Sequence, residues 1–179
     1  MGCDVSNSEL VNVVRSVLCR SLTAEQATEL ADATVPLSVA AGGVVFSEGE
    51  KSTGLLIFLR GTVEISRQTP NGRSHALATV PAPSVIGEMS LITDRPRSAT
   101  VRAVAACEFH LLTKAQFRRL IAAERIAAYK LVLTIAEVLA GRLDGADRKL
   151  LALGDTDREA APVEELTVLR EKLFSEWSF

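Results

Sequence analysis

Between Val35 and Leu112 the apolar residues come in short runs, and turn-forming residues cut them every few positions. Val35, Leu37 and Val39 alternate with smaller or polar residues, Ala41-Gly42-Gly43 turns the chain, and Val44-Val45-Phe46 follows. Ser47-Glu48-Gly49-Glu50 is a second turn, and Leu55–Arg60 is a continuous apolar run. After Gly61 comes Thr62–Arg67, with Val63 and Ile65 expected to face in and Glu64 and Ser66 out. Pro70-Asn71-Gly72 is a hairpin signal because Asn-Gly tolerates positive φ, and Ser74–Val80 returns. Thr100–Val104 and Cys107–Leu112 complete the series. A period of two buries one face of a strand. Many short strands punctuated by turns pair into a closed antiparallel β-barrel or a jelly roll. The fold class is therefore α+β, mainly β.

Helices flank this region on both sides. Leu10, Val13, Val14, Val17 and Leu18 share one face of a helix over 7–18. Thr23 and Gln26 form a capping box that starts a second helix, running to about Ala33. Thr113 caps a helix from Lys114 to about Glu124, with Phe117, Leu120 and Ile121 on one face. A longer helix is expected from about Arg125 to Leu153. One of its stripes contains Val132, Ile135 or Ala136, Leu139, Leu143, Ala146, Leu150 and Leu153. From Leu139 the spacings alternate four and three, which is a heptad seam and implies a parallel homodimer. A second stripe, Leu131, Ile135 and Val138, is free to pack on the barrel. Residues 154–163 read as a polar linker, and 164–179 as a last amphipathic helix carrying Leu166, Leu169, Leu173, Phe174 and Trp177.

One stretch inside the β region has the wrong pattern for a strand: Val85–Val101, written VIGEMSLITDRPRSATV. Gly87 lets a ligand approach the backbone closely. The short helix after it would aim free N–H groups of Met89 and Ser90 at that ligand. Arg97 supplies a guanidinium fork suited to a phosphate. Glu88 would repel phosphate, so it makes sense only if the ligand also carries hydroxyls, as a ribose does. Phosphate and ribose together mean a nucleotide.

The stretch resembles the phosphate-binding cassette of the cyclic nucleotide-binding domain family. That family includes the regulatory subunits of cyclic-AMP-dependent protein kinase, bacterial catabolite activators and cyclic-nucleotide-gated channels. The kinase-type cassette reads approximately FGELALIYGTPRAATV, and GEMSLITDRPRSATV matches it without a gap. AGGVVFSEGE similarly resembles the family's AGEVIFREGD. The resemblance covers about Leu18 to Leu153. It implies that Arg97 binds the cyclic phosphate and Glu88 the ribose 2′-hydroxyl, with the amides of Met89, Ser90, Ser98 and Ala99 adding contacts. By register with the catabolite activators, the pair that meets adenine falls on Ala146-Asp147. The activators' two hydroxyls are absent there, and Asp147 is left as an acceptor for the adenine amino group or for guanine. Cyclic AMP is expected over cyclic GMP. The domains expected are an N-terminal extension, partly helical, at 1–17; a cyclic nucleotide-binding domain at 18–153; the linker; and the last helix.

Composition bounds the alternatives. A formal net charge of −2 argues against a broad electrostatic footprint for nucleic acid. About 25 residues follow the long helix, with no basic recognition element, so DNA binding is not expected. Cys3, Cys19 and Cys107 lack metal-type spacing, and their odd count fits a reducing, cytoplasmic compartment. His75 and His110 have no ligating neighbours at metal spacing, and no nucleophile constellation indicates an enzyme. No stretch is long and apolar enough to span a membrane. Met1-Gly2-Cys3 matches a myristoylation pattern, so a membrane anchor follows only if Gly2 is lipidated. The expected function is a stand-alone cyclic nucleotide receptor without metal, dimeric through Leu139, Leu143, Ala146 and Leu150, that acts on another protein. The competing reading is a structural dimer or adaptor with a vestigial pocket. The last helix either binds that other protein or docks on its own chain.

Overall fold

A computed structural model describes residues 6–69 and 71–156. Gly2, Cys3 and the segment from 157 to 179, which contains most of the expected linker and the last helix with Trp177, lie outside the described residues. The chain divides into two compact units, Met1–Ile135 and Ala136–Phe179.

Among its described residues the first unit contains eight strands: β1 (Val35–Val39), β2 (Val44–Phe46), β3 (Gly54–Arg60), β4 (Thr62–Gln68), β5 (Ser74–Pro81), β6 (Ser84–Ile86), β7 (Thr100–Ala103) and β8 (Cys107–Thr113). They form two four-stranded antiparallel sheets, ordered β1-β8-β3-β6 and β2-β7-β4-β5. Of the two architectures expected, this is the jelly roll, and the sheets remain separate rather than closing into a barrel. Phe46, Phe58, Val63, Val101 and Phe109 belong to one buried apolar cluster drawn from both sheets. The rings of Phe58 and Phe109 stack at 4.7 Å between centroids. Strand β3 is buried along Gly54–Leu59 on both of its faces. That explains why its sequence is a continuous apolar run rather than an alternation. Strand β1 alternates yet is largely exposed: Val35 and Leu37 keep 46% and 38% of their surface. It is an edge strand, paired only with β8, so its apolar side chains cover little and Pro36 is tolerated there.

The N-terminal helical segment is not one continuous α-helix. Helix α1 (Asn7–Val13) passes into a π-turn at Val14–Leu18, where the Cys19 amide donates to the Val14 carbonyl at 2.9 Å. The wider turn changes the facing of the side chains. Leu10, Val14 and Leu18 are buried, whereas Val17, expected on the same face, is 37% exposed. Helix α2 (Ala24–Asp32) starts at the expected capping box, with the Gln26 amide donating to Thr23 Oγ1 and the Thr23 amide to Gln26 Oε1. Cys19 and Cys107 are buried and unbridged.

Helix α3 (Met89–Ile92) belongs to the site below, and helix α4 (Lys114–Ala122) is capped reciprocally by Thr113 and Gln116. Glu124, at φ 53°, turns the chain into α5 (Ile126–Thr156). In the first unit Ala127, Ala128, Leu131 and Ile135 are buried. Several polar contacts of these turns go to the N-terminal segment. Lys130 Nζ donates to the Ser21 carbonyl at 2.6 Å and to Gln26 Oε1 at 2.9 Å. Thr134 Oγ1 donates to Cys19 Sγ at 3.1 Å, and Arg125 pairs with Glu29. Of the stripe expected against the barrel, Leu131 and Ile135 are buried and Val138 is 42% exposed. In the second unit α5 continues to Thr156, three residues past its expected end at Leu153, with Leu139 half-buried and Val138 and Leu143 exposed. No helix among the described residues is long and apolar enough to cross a membrane.

Candidate functional site

Between β6 and β7 the chain leaves the sheets. Gly87 takes φ +76°, a left-handed conformation that side chains resist. A single helical turn, α3 (Met89–Ile92), follows and stops where the Thr93 amide donates to the Met89 carbonyl at 2.9 Å. Met89 and Ser90 are its first residues, so their N–H groups precede its internal hydrogen bonds. Leu91 is buried and anchors the turn, while Met89 and Ile92 stay exposed.

Arg97 is buried, with 6% of its surface exposed, and so is Glu88, with 8%. Charged groups are seldom buried so far without partners. The Arg97 Cζ lies 4.0 Å from the centroid of the Phe46 ring. A Cβ on Gly87 would collide with Nη1 of Arg97, so the absence of a side chain at 87 is what admits the guanidinium. Burial pushes the Arg97 guanidinium below its ordinary pKa, and the carboxylates of Glu50 and Glu88 oppose that shift. The backbone of Arg97 is held separately. Its amide donates to the Glu50 carbonyl at 2.8 Å, and its carbonyl accepts from the Gly49 amide at 2.9 Å.

The Ser47–Glu50 turn therefore forms one wall. It is stiffened by Glu50 Oε2, which accepts from the Ser47 amide at 2.9 Å, and by the Glu48 amide, which donates to Thr100 Oγ1 at 3.0 Å. Ser52, two residues on, is 4% exposed, and its Oγ has no hydrogen-bond partner among the described residues. At the far end, Lys114 Nζ donates to the Thr93 carbonyl at 2.8 Å and to Asp94 Oδ1 at 3.0 Å. The hydrogen bond and charge of Lys114 hold the Asp94 carboxyl below its usual range.

Of the residues singled out from the sequence, Gly87, Glu88 and Arg97 are brought together. Met89 lies at the start of α3, and Ser98 and Ala99 follow Arg97 towards β7. Asp147 lies exposed on α5 in the second unit. Sequence reasoning missed Phe46 beneath the arginine and Glu50 beside it. In sequence Phe46 reads only as a strand residue and Glu50 only as a turn residue. The only sequence signal for either was that both fall within the AGGVVFSEGE segment. Among the described residues no cluster of His, Cys, Asp and Glu could hold a metal ion.

A jelly roll interrupted by a glycine-flanked helical turn, with an arginine and an acid buried beside it, is a framework for holding a small polar anion. Residues 36–124 match the family model described as Cyclic nucleotide-binding domain. The chain belongs to that family through this domain. It is similar to the cAMP-dependent protein kinase regulatory subunit of Dictyostelium discoideum, with 29% identity over 58% of this chain and 32% of that protein. It is also similar to the CRP-like cAMP-activated global transcriptional regulator of Mycobacterium tuberculosis, with 27% identity over 76% of this chain and 59% of that protein. The chain thus spans about a third of one relative and 59% of the other. A crystal structure of a cyclic nucleotide-binding domain from Methylobacillus flagellatus shares the fold at a TM-score of 0.71. It covers 82% of this chain and 83% of that one, at 24% identity.

Proposed function

We propose that this chain is a cyclic nucleotide receptor that takes cyclic AMP in preference to cyclic GMP and passes a ligand-dependent change to a partner protein, without catalysing a reaction. The observation that carries the reading is the convergence of Gly87, Glu88 and Arg97 in one buried site, in register with the family's cassette. The residues present fit the ligand: Arg97 is a buried cation for the cyclic phosphate, and Glu88 is a buried acceptor for the ribose 2′-hydroxyl. The amides of Met89, Ser90, Ser98 and Ala99 line the cassette around them. By the sequence register alone, Asp147 is the acceptor offered to the base, adenine or guanine. The two relatives described above carry cyclic AMP in their names, which supports the choice of base. In this reading residues 18–153 form the ligand-binding domain, and α5 pairs with a second copy of the chain through Leu139, Leu143, Ala146 and Leu150. The protein works in the cytoplasm, where the unbridged state of Cys19 and Cys107 is stable.

Calorimetric titration with cyclic AMP, cyclic GMP and a cyclic dinucleotide tests the ligand class. Cyclic AMP should bind saturably and at least as tightly as cyclic GMP. Arg97→Ala removes charge-assisted hydrogen bonds worth roughly 1.5–3 kcal/mol, or on the order of 10- to 100-fold in affinity. Glu88→Ala should cost less and should affect ribose ligands more than 2′-deoxy ligands. Equal affinity in wild type and Arg97→Ala would reject the site. The fluorescence of Trp177, the chain's sole tryptophan, reports in the same titration whether the C-terminal segment takes part in the response.

A further inference from the structure

Phe46 ends the short strand β2 and pairs with Val101 of β7, next to a register shift in that ladder. It is 7% exposed and belongs to the apolar cluster between the sheets. Its outer side nevertheless carries a cation: the Arg97 guanidinium sits over the ring, 4.0 Å from the centroid. That distance is well inside the range where the negative face of an aromatic ring attracts a cation. An aliphatic residue of similar volume would offer the buried charge no such compensation.

The geometry also restricts direction. The donors of a guanidinium lie in its plane. A ring close to the guanidinium carbon uses none of these donors, and at 4.0 Å from its centroid it restricts how the group can turn. Gly87 leaves room at Nη1, where any side chain would collide, and the arginine backbone is fixed on both sides by Gly49 and Glu50. The backbone is held by these bonds, and the ring is one of the contacts that set the direction of the guanidinium.

We infer that Phe46 is a positioning residue for ligand recognition: its ring sets the plane of the Arg97 guanidinium, so that the donor edge meets one particular exocyclic oxygen of a cyclic phosphate. The inference rests on the reading of the site as a cyclic nucleotide pocket. It predicts stereoselectivity at phosphorus, which a pocket with a loosely held cation would lack.

The two phosphorothioate diastereomers of cyclic AMP, each with sulfur in place of one exocyclic oxygen, are the probes. Sulfur is the weaker hydrogen-bond acceptor, so the wild-type protein should prefer one diastereomer by on the order of 10-fold, the loss of about one charged hydrogen bond. Phe46→Leu should bring the affinity ratio close to one, and Phe46→Tyr should keep it. If Phe46→Leu does not fold, as judged by thermal melting, Phe46→Met serves for the same measurement. A packing role alone would lower both affinities by a common factor and leave the ratio intact, and that result overturns the assignment. So does a wild-type ratio of one. Failure of the wild-type protein to bind cyclic AMP itself removes the nucleotide reading, an outcome separate from an unchanged ratio.

Discussion

A side chain at position 87 and the guanidinium of Arg97 cannot share the space they would occupy: a Cβ on Gly87 runs into Nη1 of the arginine. Gly87→Ala therefore carries two penalties. The backbone is held at φ +76°, where a non-glycine residue costs about 1–2 kcal/mol, and the arginine has to leave its place. The expected outcome is a folded protein with a lower melting temperature and cyclic AMP affinity reduced on the order of 10-fold or more. Calorimetry on the folded variant checks it. Unchanged affinity would mean that Arg97 does not act from this position.

Lys114 links the start of α4 to the end of α3. Its side chain is 15% exposed, and its ammonium bonds the Thr93 carbonyl and Asp94. Lys114→Met keeps most of the aliphatic packing and removes the ammonium. The loss should be about 1 kcal/mol, mostly from the bond to the Thr93 carbonyl, since a pair with exposed Asp94 contributes little. Hydrogen exchange should quicken at Thr93 and its neighbours while β3 and β8 keep their protection. Equal loss of protection throughout would show that the contact serves the fold as a whole.

His110 is half-buried in β8, with Nδ1 2.8 Å from Thr34 Oγ1, and burial lowers its pKa below the ordinary 6.5. The neutral form is favoured in the folded state, so the unfolded chain binds the proton more readily. The stability from this group is fully present above the unfolded pKa and is lost as the pH falls through it towards the folded value. The urea midpoint should drop between about pH 7.5 and about pH 5.5, and less so in His110→Gln. Identical slopes in the two proteins would remove His110 as the source.

Leu143 is 37% exposed on the second unit's part of α5. If α5 pairs with a second copy, Leu143→Glu puts a charge in the seam and should give a monomer by sedimentation, with the first unit still folded. A wild-type protein that is monomeric at tens of micromolar, roughly where a weak seam would dissociate, would rule out the pairing.

What could be read from the sequence was local. Thr23 with Gln26 and the Asn71-Gly72 turn are signals carried by a few neighbouring residues, and the helix and hairpin lie where they place them. Gly87, Glu88 and Arg97 were legible for a related reason: they belong to one short stretch whose spacing is tied to a ligand class. The rest depends on contacts between distant segments. Nothing near Val17 reports the π-turn that exposes it, and the pattern of β1 is that of a buried strand although the sheet leaves it at an edge. Phe46 lies 51 residues before Arg97, and only the pairing of β2 with β7 brings the two together. The early turns of α5 carry Lys130 and Thr134, whose partners Ser21, Gln26 and Cys19 come from the other end of the domain.

The two backbone hydrogen bonds that join Arg97 to Gly49 and Glu50 need only a main-chain N–H and C=O at position 97, which every residue but proline supplies. Architecture and ligand chemistry are therefore separable here. A single codon change can silence the pocket while the loop around it stays tied, so descendants of such a chain can drift from sensing to scaffolding without passing through an unfolded ancestor.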